Sequence, residues 1–225
     1  MRDLRPNEER AKHAIALIWA VLAVELISLI SGYMQYNLLQ NAAQGLEVST
    51  ESVTANDLRE QTIAIIYLIV YLTSAITFIR WFRRAYFNLH THVSYLSHQE
   101  GWAAGGWFVP VVSLYRPFQI MKELYEETKE VLVKNGVHPP EQFTTSALGW
   151  WWALWLITNV LGQFVFRYTL RTETLDELIF STVASMITDF LGVPLALITV
   201  KVIKDYAEVE PLLLEISEKQ DVSNA

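Results

Sequence analysis

Long uncharged apolar blocks, separated by charged segments, dominate the pattern of this chain. Residues 62–79 form a run of eighteen residues without a charge, and residues 142–166 form a run of twenty-five. A bilayer core about 30 Å thick needs roughly 20 helical residues, so blocks of this length predict membrane-spanning helices. The pattern predicts four spans, at about residues 14–36, 61–82, 145–166 and 178–200.

A further apolar segment, residues 101–121, contains Pro110 and Pro117. Each proline lacks a backbone N–H and crowds the preceding turn, which disfavours one straight helix. Residues 122–134 are predicted to form a charged amphipathic helix, and residues 201–225 a charged tail. Whether residues 101–121 cross the membrane therefore decides the topology of everything after them.

The distribution of basic residues indicates that this segment does not cross, because Lys and Arg are enriched on the cytoplasmic side of membrane helices. Without a crossing, 14 of the 17 Lys and Arg residues lie inside, and Arg59, Arg167 and Arg171 lie outside. With a crossing, the inside count falls to nine. Non-helical backbone at membrane depth must be buried by protein or line water. We therefore predict a re-entrant or interfacial element that dips in from the cytoplasmic face.

The sequence predicts an all-α integral membrane protein with a single membrane domain, residues 1–225. It has four transmembrane helices, the Pro-broken re-entrant or interfacial element and a cytoplasmic amphipathic helix, with both termini cytoplasmic. The apolar run after the charged amino terminus has no signal-peptide cleavage motif, so we interpret it as a retained first span. The bacterial cytoplasmic (inner) membrane is the predicted location.

Composition and motifs exclude several classes of function. A formal net charge of −7 gives no reason to expect a nucleic-acid partner. The absence of cysteine excludes disulfides and thiolate chemistry. No metalloprotease, nucleophile-elbow, P-loop or dinucleotide-binding motif is present, so we predict neither enzymatic activity nor a cofactor.

Two acidic residues lie at the midpoints of predicted spans: Glu25 in the first and Asp189 in the last. An acidic side chain at the centre of a membrane helix costs about 2.5–3.5 kcal/mol on insertion scales, so each needs a stabilising partner or a function. One hypothesis is a structural role, with Arg116 as a candidate partner. The alternative is a protonatable or cation-binding pair, because Pro194 frees the carbonyl of Phe190 beside Asp189, as in many transporters.

A basic cluster follows the second predicted span. Arg80, Arg83 and Arg84, with Lys122, are candidates for binding phosphate or lipid headgroups, because the Arg fork binds phosphate oxygens in a bidentate manner. The alternative is that these charges only orient the protein in the membrane. The three histidines that follow are interpreted as interfacial polar residues rather than metal ligands; they are His90, His92 and His98.

Three motifs resemble a bacterial multi-pass membrane family known as domain of unknown function 4328. They are IRWFRRAYFNL at residues 79–89, GWFVPVVSLYRPFQIMKEL at residues 106–124, and GWWWALWLI at residues 149–157. The second motif carries its structural residues, Trp107, Pro110 and Pro117. The resemblance covers roughly residues 62–201, implies a membrane helix bundle and supplies no activity. We interpret the tryptophan run of the third motif, residues 150–152, as an interfacial belt.

Three functional hypotheses follow. The first is a non-enzymatic scaffold, sensor or accessory subunit, with membrane lipids and either a second copy or another membrane protein as partners. The second is a small transporter or channel with a midplane acidic site. The third is a binder of anionic lipid headgroups, or an enzyme acting on them, at the cytoplasmic interface.

Overall fold

The computed structural model describes residues 5–223, and this part of the chain consists of helices and the loops that join them, without a β-strand. The prediction of an all-α fold is therefore confirmed. Within residues 5–223, a single 3₁₀ turn, Val112–Leu114, accompanies six α-helices. The helices are α1 (Glu8–Ala43), α2 (Thr50–His92), α3 (Trp102–Gly105), α4 (Arg116–Lys134), α5 (Ser146–Thr169) and α6 (Leu175–Ser223).

Three of the described helices, α1, α2 and α6, are long and apolar enough to cross a membrane. Between 11% and 28% of the residues in their most apolar stretches are buried, so most of the apolar surface faces outward. Outward-facing apolar side chains in such numbers are typical of helices surrounded by lipid. These helices indicate a membrane protein.

The prediction of four such helices was wrong, because α5 is not among them. The α5 helix includes most of the predicted span at 145–166, but its first half carries four tryptophans and its second half carries Asn159 and Gln163. Indole N–H and side-chain amide groups lower the mean hydropathy of the part of α5 that carries no charge, residues 146–166. An uninterrupted absence of charge is therefore a weaker criterion for a span than hydropathy.

The long helices extend well beyond the predicted spans. Only residues 44–49 separate α1 from α2, so most of the polar segment between these predicted spans is helical. Residues 201–223 of the predicted tail continue α6, whereas residues 224–225 lie outside the described residues. The α6 helix also continues through Pro194. The tail is thus part of the folded protein up to Ser223.

The segment at residues 101–121 contains the short helix α3, the 3₁₀ turn and the start of α4. The α3 helix is followed by Val111, whose φ of 67° is unusual for a β-branched residue. The α4 helix then begins at Arg116, six residues before the predicted start, with Pro117 in its first turn. Proline is well tolerated there because the first backbone N–H groups of a helix have no intrahelical acceptor. Pro117 therefore starts a helix instead of breaking one.

The described residues form two compact units. Unit 1 comprises residues 5–16, 74–152 and 198–223, and unit 2 comprises residues 17–73 and 153–197. Every described Lys and Arg residue belongs to unit 1, except for the three that were predicted to lie outside. The division therefore coincides with the partition of basic residues in the sequence.

Unit 1 has a densely packed aromatic core. Trp81 and Tyr206 are fully buried, with their rings edge to face at 6.1 Å between centroids. Tyr125, also buried, donates its hydroxyl to the carbonyl of Val202 at 2.6 Å and stacks on Phe143 at 4.6 Å. Aromatic pairs in such geometries contribute about 0.5–1.5 kcal/mol each beyond the burial of their surface. The core thus joins α2, α4 and α6 within this unit.

Candidate functional sites

Four arginines of unit 1 interact electrostatically; we call them the arginine rim, which consists of Arg10, Arg80, Arg83 and Arg84. The last three follow the apolar stretch of α2, and Arg10 comes from the first turn of α1. The Arg10 guanidinium donates from Nη1 to the Arg80 carbonyl at 3.1 Å. Partial burial lowers the pKa of Arg10, and the positive charges of the other three lower it further. The rim therefore concentrates like charge.

Few acidic groups neutralise the positive charge of the arginine rim. Within the described residues, Arg83 is the only rim member with an ion pair, to Glu100 at 3.2 Å. The charges of Glu100 and Glu210 also act on Arg84, but burial and neighbouring arginines still lower the pKa of Arg84. Such a concentration of unneutralised guanidinium groups attracts anions.

The sequence identified three of the four rim residues. Lys122, the remaining sequence candidate, instead pairs with Glu126 on α4 at 3.6 Å, and both side chains are about half exposed. Arg10 was missed, although charge counting had placed it on the same side as the other three. Counting basic residues assigns each of them to a side of the membrane, but it gives no distances between them. Only the tertiary structure could therefore show that Arg10 belongs to the arginine rim.

A buried carboxylate lies in the same unit and forms what we call the Glu210 cluster, with Asn7 and Asn88. The Asn7 side-chain amide donates to both carboxylate oxygens, at 3.0 and 3.2 Å, and that of Asn88 donates to Oε1 at 2.7 Å. Asn88 also exchanges hydrogen bonds with the backbone of Arg5, at 2.9 and 3.1 Å. The cluster thus ties α6 to α2 and to the start of the described chain.

Glu210 lies ten residues beyond the apolar stretch of α6 that was predicted as a span. Burial raises the pKa of Glu210 to about 7, although the two asparagines and the charge of Arg84 act in the opposite direction. The sequence placed Glu210 in a charged tail, where acidic residues are ordinarily solvated. No local pattern marks it as buried, because its partners are 122 and 203 residues away in the chain.

The segment after α2 is held by Glu123 of α4. Its carboxylate accepts hydrogen bonds from the Tyr86 hydroxyl and from the backbone N–H of Ser97, both at 2.6 Å. Although burial acts to raise the pKa of Glu123, these hydrogen bonds and one with His98 lower it overall. His98 lies 3.4 Å from the carboxylate, and the ring of His90 packs edge-on against Tyr86. These two histidines therefore contact a structural carboxylate and an aromatic ring.

A metal-binding arrangement is not found in this region. Across residues 5–223, no group of three or more His, Asp or Glu side chains is placed to hold a metal ion. His92 is half-buried, and burial lowers the pKa of its imidazole.

The residues of the second motif lie in unit 1. Trp107 donates its indole N–H to the Ala103 carbonyl at 3.1 Å and packs edge-on against Phe78. The Arg116 guanidinium stacks over the rings of Trp102 and Tyr115, at 5.3 and 5.6 Å from their centroids. A partner for Arg116 was predicted to be acidic, but its described partners are aromatic.

Two of the three tryptophans at residues 150–152 are buried in the same core. Trp151 is 2% exposed and contacts Phe78 and Trp152, whereas Trp150 is 71% exposed. Trp152 donates its indole N–H to the Leu114 carbonyl at 3.1 Å. The prediction of an interfacial belt therefore fits Trp150 alone, and the other two stabilise the core of unit 1.

Glu25 and Asp189 both belong to unit 2, where the charge of one acts on the other. Glu25 is 6% exposed, and the Tyr67 side chain lies close enough to interact with its carboxylate. Asp189 accepts a hydrogen bond from the Ser28 hydroxyl at 2.7 Å. The structure thus brings together the two acids that the sequence placed at matching depth.

An apolar groove of about 440 Å³ is also present in unit 2, and neither acid lines it. It is lined by Leu29, Tyr33, Tyr36, Val183, Met186, Ile187, Phe190 and Leu191.

One family model matches residues 44–208, which is more than half of the chain; its description is "Domain of unknown function (DUF4328)". No curated protein and no solved structure matches the chain. The match includes α2 to α5 and most of α6, and therefore Arg80, Arg83, Arg84, Asp189 and Glu123. Arg10 and Glu25, by contrast, precede the matched region.

Proposed function

The chain belongs to the family described as a domain of unknown function (DUF4328), and we propose that it binds phosphate groups of anionic lipid headgroups through the arginine rim. In this proposal the protein is a non-enzymatic scaffold, sensor or accessory subunit of the membrane. The single observation that carries it is the convergence of four arginines of which only one has a described ion pair.

The chemistry of the rim supports a phosphate ligand. A guanidinium group presents several N–H donors in a planar fork, and this fork matches the oxygens of a phosphate group. Bringing like charges together destabilises the free protein, and a bound anion removes that repulsion. Three of the four arginines directly follow an apolar stretch of α2, which is where a lipid headgroup would lie.

The orientation that we propose follows from the same charges. In this orientation unit 1, which contains nearly all of the described basic residues, lies on the cytoplasmic side of a bacterial inner membrane. Both termini lie on the same side. The anionic lipids of a cytoplasmic leaflet attract basic segments by about 1 kcal/mol per Lys or Arg near the surface. The segment at residues 101–121 then lies at or dips into that leaflet.

Replacing Arg80 and Arg83 together by glutamine tests the lipid proposal. Both side chains are exposed, so the substitutions remove two charges without opening the core. We expect the affinity for phosphatidylglycerol to fall about tenfold or more, as two charge contacts of about 1 kcal/mol each imply. Binding is measured on the purified full-length protein in neutral detergent by native mass spectrometry, with phosphatidylcholine as the uncharged reference lipid.

A matched control is the double variant Lys122→Gln/Lys129→Gln, which removes two exposed cations from α4. It is expected to leave phosphatidylglycerol binding unchanged. Competition by inorganic phosphate distinguishes a headgroup site, which free phosphate displaces only weakly, from a site for soluble phosphate. Equal losses of affinity in both double variants would overturn the proposal, since net charge alone would then explain binding.

A further inference from the structure

Glu25, a residue of unit 2, has a buried carboxylate oxygen without a partner. Its Oε2 atom is inaccessible to solvent and makes no hydrogen bond to any described residue. A buried acceptor left unsatisfied costs about 1–3 kcal/mol, and more when it is charged. Such a group is stabilised by water or by a bound ligand, because the protein chain supplies no partner.

Gly192 shows that α6 is shaped to receive this carboxylate. A Cβ atom at this position would lie 2.7 Å from Oε2 and 2.6 Å from Cδ of Glu25, and it would clash with Oε1 as well. Gly192 follows Asp189 by three residues, so the two positions share one face of the helix. The Glu25 carboxylate therefore packs directly on the face of α6 that carries Asp189.

A third acidic side chain, Glu60, lies near enough to the pair for its charge to act on Asp189. Arg59 lies 3.4 Å from Glu60 and donates to Ser31 and Asn56 at 2.7 and 2.6 Å. No ion pair to Glu25 or Asp189 is present among the described residues.

Additional oxygen atoms are available close to Asp189. The Ser28 hydroxyl already contacts Oδ2. Pro194 has no N–H to donate to the carbonyl oxygen of Phe190, the residue that follows Asp189. Carboxylate, hydroxyl and carbonyl oxygens are the ligands that hard cations prefer, and carbonyls freed within membrane helices coordinate Na⁺ in transporters.

We propose that Glu25 and Asp189 form a binding site in unit 2 for one monovalent cation, supplied either as Na⁺ or as a proton. In both cases a single positive charge reduces the charge of the ionised pair from −2 to −1 and supplies a partner for the buried oxygen of Glu25. Gly192 keeps the space for the carboxylate open, and Ser28 orients Asp189. A site of this kind is what a cation-coupled transporter would need, which was the second hypothesis from the sequence.

The experiment measures the thermal unfolding midpoint of the purified full-length protein in neutral detergent. NaCl is exchanged for choline chloride at constant ionic strength, at pH 5 and at pH 8. For a Na⁺ site we expect the midpoint at pH 8 to rise by about 3–6 °C at a sodium concentration ten times Kd. For a proton site we expect no sodium effect and a midpoint that is higher at pH 5 than at pH 8.

Glu25→Gln is expected to abolish a sodium dependence, or to remove the part of the pH dependence that this pair contributes while the part due to Glu210 remains; Asp57→Asn, an exposed acid of unit 2, is expected to behave as the wild type. Other titrating groups contribute equally to the wild type and to Glu25→Gln, so the comparison isolates the pair. If Glu25→Gln does not fold, Asp189→Asn and direct calorimetric titration of the wild type with Na⁺ replace it. Identical sodium and pH dependences in the wild type and in the folded variant would overturn the proposal.

Discussion

Replacing Glu210 with alanine is expected to lower the free energy of unfolding by about 3 kcal/mol at pH 5. The substitution removes the acceptor for two buried amide donors, Asn7 and Asn88, and each orphaned donor costs about 1–3 kcal/mol. The effect is measured by chemical or thermal unfolding of the purified protein in detergent. Glu215→Ala, an exposed position on the same helix, is the control and is expected to change stability by less than about 0.5 kcal/mol.

The same residue predicts a pH dependence of stability. Burial raises the pKa of Glu210 from its ordinary value of 4.5 to about 7, so the folded protein holds the proton more tightly than the unfolded chain. The resulting stability is fully present below pH 4.5 and is lost as the pH rises toward 7. A shift of this size corresponds to about 3 kcal/mol.

Glu210→Gln cannot lose a proton, so the contribution of this site should not change between pH 5 and pH 8. The measurement compares the unfolding free energies of the wild type and the variant at both pH values. A wild-type protein whose stability relative to Glu210→Gln is independent of pH would contradict the assignment of Glu210 as a buried titrating group.

Trp151→Ala is expected to destabilise the protein by about 3–5 kcal/mol, the range for removing a large aromatic side chain from a packed core. Trp151 is 2% exposed and contacts Phe78 and Trp152 within the aromatic core of unit 1. The cavity that remains cannot be filled without moving neighbouring rings. Thermal unfolding in detergent measures the loss.

Trp150→Ala is a closely matched control, because it removes the same side chain from the preceding position of the same helix. Trp150 is 71% exposed, so we expect a change below about 1 kcal/mol. Comparable destabilisation by the two substitutions would mean that the tryptophan run acts as a unit at an interface, as the sequence pattern suggested, and not through the core.

Much of the fold could be predicted from the sequence, because helix formation in an apolar medium depends mainly on local composition. The backbone N–H and C=O groups of residues 62–79 cannot remain without hydrogen bonds in a bilayer, so they must bond to one another within a helix. The same reasoning failed for α5, where tryptophan and amide side chains were counted simply as uncharged. It also failed at Pro117, because a proline is compatible with a helix when it lies in the first turn.

The candidate sites were predicted unevenly. Arg80, Arg83 and Arg84 are adjacent in the chain, so their clustering needs no tertiary information. Glu25 and Asp189 were predicted to act as a pair because both lie at the midpoints of predicted spans. An acidic residue in a membrane helix needs a stabilising partner. The roles of Lys122 and Arg116 depended on partners elsewhere in the chain, and a sequence contains no distances between remote residues.

The linear pattern of side chains determined that this protein is helical, that several helices suit a membrane, and that basic residues concentrate in particular segments. These properties follow from local hydropathy and charge. Only the tertiary structure decided that Arg10 joins the arginine rim, that Glu210 is buried between two asparagines, and that Gly192 makes room for Glu25. Each of these contacts requires helices that are distant in the chain to lie within a few ångströms of each other. The packing of the helices determines that distance.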